Sequence, residues 1–115
     1  MAQINNHGYE KIRQYILSSW NYIEVQDTTG IALKRFGIAD GLQVTGNATT
    51  QEIEYKLVIT GDSTFLNQTV GKSVLLEVAT NGSPIATEVF APFTFESADD
   101  QLTIIHKLQV PQILV

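Results

Sequence analysis

The stretch QEIEYKLVIT, residues 51–60, constrains the fold more than any other part of the chain. Ile53, Tyr55, Leu57 and Ile59 alternate with Glu52, Glu54 and Lys56. A period of two puts the apolar residues on one face of a strand and the charged residues on the other. A strand of this kind must bury its apolar face against a second layer. The fold class expected is therefore mainly β, an antiparallel sandwich or small barrel.

Similar segments recur along the chain at turn-to-turn intervals. Tyr22–Gln26 (YIEVQ) and Ile31–Phe36 (IALKRF) flank DTTG, where Asp27 and Gly30 suit a short hairpin turn. Gly41–Gly46 holds a brief strand, and Thr64–Gly71 (TFLNQTVG) reads as a loop pinned to the core by Phe65, Leu66 and Val70. In KSVLLEVA, Val74, Leu76 and Val78 are expected to face inward. Asn81-Gly82 is a hairpin-turn signal. The return strand IATEVFAPFTFE should bend at Pro92, because proline cannot donate to a ladder. SADD then turns into the closing strand QLTIIHKLQV. The spacing gives six to eight short strands in a single domain over 1–115: a helical segment over 1–20, a β-sandwich over 21–111 and an apolar tail over 112–115.

The start of the chain departs from this pattern. In GYEKIRQYILSSW, Tyr9, Ile12, Ile16 and Trp20 recur at three- and four-residue steps and so share a helix face. Asn6 is the expected cap and Glu10 the expected acid of the first turn. A helix of about three turns is marginal alone and needs a surface to dock on, either its own domain or a neighbouring subunit. The tail residues Ile113, Leu114 and Val115 are apolar and suited to burial by a partner.

Composition narrows the function classes. The net charge is −5, and the seven Lys and Arg are scattered singly apart from Lys34-Arg35, so neither nucleic acid nor an anionic membrane is an expected partner. There is no cysteine, hence no disulfide and no thiolate metal site. No signal peptide is read at the start, and no apolar run approaches the ~20 residues of a membrane helix. The N-x-S/T triplets at Asn47, Asn67 and Asn81 are read as coincidence in a Thr-rich β-protein.

Candidate chemistry is thin. His106 shares the register of Leu102, Ile104, Leu108 and Val110 and reads as a core or core-edge histidine with one satisfied nitrogen. Asp99 and Asp100 precede it in a turn that needs local side-chain acceptors, and along an extended strand Asp100 lies roughly 20 Å from His106. All five aspartates (Asp27, Asp40, Asp62, Asp99, Asp100) fall in turns, and no D-x-D-x-D-G calcium loop is present. None of the six serines sits in G-x-S-x-G, and Glu52 and Glu54 belong to a solvated strand face. Trp20, Tyr22, Tyr55 and Phe90 are read as core in preference to a stacking platform for sugars. The expectation is a protein without enzymatic activity, catalytic residues, cofactor, metal or small-molecule ligand.

SSWNYIEVQDTTGIALKRF and ATEVFAPFTFESADDQLTIIHKLQVPQ resemble small structural proteins encoded in tailed-bacteriophage morphogenesis clusters. The resemblance implies a helix followed by a short β-sandwich. It also implies a virion component (head-decoration, neck, tail or fibre-attachment) with other virion structural proteins as partners and homo-oligomeric assembly. The protein-contact candidates are then Tyr9, Ile12, Ile16, Trp20, Ile113, Leu114 and Val115. The alternative is a carbohydrate- or receptor-binding sandwich module; a small enzyme built on His106 is a third class.

Overall fold

The computed structural model describes residues 2–111. A helix, α1 (Asn6–Ser19), precedes seven strands: β1 (Tyr22–Asp27), β2 (Ala32–Phe36), β3 (Gln43–Thr45), β4 (Glu52–Thr60), β5 (Thr69–Leu76), β6 (Ala86–Thr94) and β7 (Gln101–Gln109). They form two antiparallel sheets, β2-β1-β5-β6 and β3-β4-β7. The chain is mainly β, consistent with a small sandwich carrying one N-terminal helix. No helix among the described residues is long and apolar enough to cross a membrane.

The alternation read in β4 is realised residue by residue. Ile53, Tyr55, Leu57 and Ile59 are buried, while Lys56, Val58 and Thr60 face solvent. β4 pairs with β7 over its full length, from Glu52 opposite Gln109 to Thr60 opposite Gln101. The β1–β2 hairpin closes on Asp27, whose Oδ1 accepts from the Thr29 and Ile31 amides and the Thr29 hydroxyl. These donors hold the Asp27 carboxyl below its ordinary pKa, the Ile31 amide foremost. Pro92 interrupts β6 as expected: Val70 pairs with Phe93 and Lys72 with Val89, so one residue of β5 spans three of β6.

β5 differs from expectation. It is the second inner strand of its sheet and is buried on both faces. Ser73 and Leu75 point at the other sheet; Val74 and Leu76 lie on the opposite face and are not part of the central cluster. Residues 77–85 cover that outer face in place of a tight hairpin. Asn81 and Gly82 do take positive φ (59° and 82°), as the turn signal requires, but within this longer loop. Arg35 holds it down, donating to the Val78 and Asn81 carbonyls at 2.8 and 2.9 Å while pairing with Glu24 at 3.0 Å. Val78, expected inside, is therefore on the surface. Leu66 is also exposed; Phe65 anchors its loop, stacked on Phe36 and tilted against Phe95, and Val70 is buried in the core at the start of β5.

The helix docks on its own domain, turned slightly from the predicted face. Ile16 is 1% exposed and belongs to the core, whereas Ile12 is 37% exposed. Arg13 takes the inner position in its place. Its Nε donates to the Val110 carbonyl at 2.7 Å and its Nη1 to the Ala48 carbonyl at 2.8 Å. At about 100° per residue, positions 12 and 13 straddle the buried stripe, and the acceptors at Ala48 and Val110 select the arginine. The expected cap is also displaced: Asn6 is already helical, Asn5 stands at the cap without a side-chain bond, and Glu10 lies beyond the first turn. Tyr15 bonds Glu77 at 3.2 Å near the end of β5, so α1 spans one end of the sandwich from sheet to sheet.

Candidate functional site

The two flanks of the sandwich are built differently, and the difference defines the candidate site. On one flank, β2 and β3 are short edge strands joined directly through Gly37–Leu42. Phe36 and Leu42 are buried there. On the other flank the edges are β6 and β7, nine residues each. No residue of β6 is fully buried. A cleft of about 320 Å³ runs between them, lined by Glu88, Phe90 and Ala91 from β6 and by Leu102 to Ile105 from β7.

A polar node lies behind this cleft. The His106 Nδ1 and the Ser73 hydroxyl share a hydrogen bond of 3.0 Å across the two sheets, and both residues are buried. Tyr55, opposite His106 on β4, meets the imidazole edge-on with ring centroids 6.3 Å apart. Glu88 is paired with Ser73 in register, so its side chain is on the inward face of β6. Burial lowers the His106 pKa and the Glu88 charge partly opposes that shift. The imidazole is thus neutral at pH 7. Among the described residues Glu88 has neither a hydrogen bond nor an ion pair, and the Tyr55 hydroxyl has no partner. Burial raises the Tyr55 pKa far above its ordinary value.

Serine, histidine and glutamate converge here, but not as a hydrolytic triad. Ser73 is fully buried, so its hydroxyl is closed to a substrate. His106 meets the reading made of it, a core histidine with one satisfied nitrogen. Asp100 stays in the preceding turn, where its Oδ2 accepts from the Glu96 and Ser97 amides. Asp62 caps its own turn through the Thr64 amide, and Asp40 accepts from the Gly37 amide. No group of three or more His, Asp or Glu side chains arranged to hold a metal occurs among the described residues. Glu52 and Glu54 lie on the outer face of β4, where Glu52 approaches Lys107 at 3.7 Å.

The contact candidates read from the sequence are distributed as follows. Ile16 is used by the chain's own core; Tyr9 and Trp20 are half-buried and Ile12 is exposed. Ile113, Leu114 and Val115 lie outside the described residues. Of the aromatic platform candidates, Tyr55 is buried and Trp20, Tyr22 and Phe90 are half-buried. The β6–β7 flank was not singled out from the sequence. Its available signal was Glu88, an acid in the inward register of IATEVF.

The geometry defines a two-layer antiparallel sandwich, four strands on three, with a helix across one end and one flank open. No protein-family model matches the chain, and no curated protein or solved structure matches it.

Proposed function

We propose that this chain is a non-enzymatic structural subunit of a phage particle that acts by contact with neighbouring virion proteins. The observation that carries the reading is the open flank. Two nine-residue edge strands leave one side of each backbone ladder unpaired, beside apolar side chains that their own domain covers only in part. Long free edges are surfaces on which another chain can pair. Val89 on β6 is 70% exposed, and Ile105 on β7 and Val58 on β4 add apolar surface. On α1, Ile12 and Tyr15 face outward and extend the same kind of surface to the capped end. The sequence resemblance supplies the virion context, and the apolar tail over 112–115 is a further contact segment under this reading.

Particle composition tests it. Peptide mass spectrometry of density-purified particles from the source culture should recover this chain in many copies per particle. Its absence from intact particles would sink the proposal. Light scattering of the purified chain over a concentration series then separates self-assembly, seen as a discrete oligomer, from docking on other subunits, seen as a monomer.

A further inference from the structure

We propose that the cleft between β6 and β7 is a strand-addition site: it takes one extended segment of a partner along the free edge of β7, with apolar and basic side chains two residues apart. The inference holds whether or not the chain belongs to a particle.

The layer count is the first support. β5 stands over β7, as the Ser73–His106 bond requires. β6 is one strand further out, and the three-stranded sheet has nothing beyond β7 to face it. Neighbouring strands lie about 4.8 Å apart, so a single added strand beside β7 would sit beneath β6. That strand would cover Phe90 and Leu102, which line the cleft and are now only half-buried. A whole second copy paired antiparallel, edge to edge through β7, does not fit. Its own β5 stands over its β7 and would occupy the space that β6 fills here.

The edges themselves favour β7 as the template. β6 is broken at Pro92 and carries its irregularity there, which protects an edge from pairing. β7 is continuous over nine residues, contains no proline and bears one formal charge, Lys107. A strand added to β7 gains a ladder of backbone hydrogen bonds on one side and a covering layer above.

Charge selects the guest. Glu88 is on the inward side of β6 and makes no ion pair among the described residues. A neutral or acidic guest would leave that carboxylate facing an apolar layer, whereas a Lys or Arg would pair with it. Glu88 and Phe90 are successive inward positions of β6, so the guest should present a basic and an apolar side chain two residues apart.

The test is selection of random twelve-residue displayed peptides on the immobilised full chain. Enriched peptides should alternate apolar residues and carry Lys or Arg two positions from a Val, Ile, Leu or Phe. Bound peptide should slow hydrogen exchange of amides in Leu102 to Ile105. Glu88→Gln should weaken such peptides at least tenfold with the melting temperature retained, and Glu88→Lys should reselect for Asp or Glu. Three results overturn the proposal. One is the absence of a common pattern, and another is a pattern indifferent to both Glu88 variants. The third is protection at Leu102 to Ile105 that rises with protein concentration alone or vanishes on removing residues 112–115; it would assign the cleft to this chain itself.

Discussion

The β2–β3 flank and the β6–β7 flank close the same sandwich with opposite economy. On the first, the strands are five and three residues long, yet Phe36, Leu42 and the loop residue Phe65 are all buried. On the second, the strands are nine residues each, and β6 buries no residue completely. Strand length therefore does not measure how well an edge is finished. The short flank is sealed because the chain itself passes from sheet to sheet across it at Gly37–Leu42, and Phe65 packs in from the β4–β5 loop. The long flank has a crossing only at the β6–β7 turn, so the inner face of β6 stays half-covered along its length.

This contrast can be broken by mutation, and the sealed flank should give the largest effect. Phe65→Ala removes a fully buried ring in contact with Phe36 and Phe95 and should cost about 3–5 kcal/mol in urea unfolding. A loss below ~1 kcal/mol would show that the sealed flank is no better packed than the open one. Arg13→Met keeps the aliphatic stem but removes both bonds to the Ala48 and Val110 carbonyls; a loss of about 2 kcal/mol is expected. Hydrogen exchange should then accelerate where β7 ends.

Acid should sharpen the difference from the open side. The His106 pKa is lowered in the fold, so the unfolded chain binds a proton more readily than the native one. Its contribution to stability is full above the ordinary histidine pKa. It is lost as pH falls below about 6.5 towards the native value, by at most ~1.4 kcal/mol per pH unit. The drop in urea midpoint between pH 7 and pH 5 should be larger for the native chain than for His106→Gln. Equal drops would show that other carboxylates account for the acid response. Phe90→Ala, on the half-covered face, should cost only about 1 kcal/mol, well below Phe65→Ala. Val89→Lys, at an exposed position, should change stability by no more than ~0.5 kcal/mol, as thermal unfolding would show.

What the sequence made legible follows from how local the cause is. β4 needed only its own alternation, and the β1–β2 hairpin needed Asp27 and its next four residues. His106 was legible because its register was set by Leu102, Ile104 and Leu108 in the same strand. Alternation carries no direction in β5, because both of its faces are buried, one under a distant sheet and one under its own following loop. Hydropathy alone favours Ile12 over Arg13 as the buried position of α1. The acceptors of Arg13 stand 35 and 97 residues away and leave no mark near position 13. The Glu88–Ser73–His106 node draws one residue from each of three strands, and only the register of β5 against β6 and the stacking of the sheets bring them together.

The bond from Arg13 to Val110 also sets an order of events during synthesis. The guanidinium is made 97 residues before the carbonyl it needs. Until then the helix has no final seat, and Ile16 has no completed core to enter. The helix is therefore locked only after every strand that follows it has been made, and the nascent chain must remain soluble with that helix undocked while those 97 residues are synthesised.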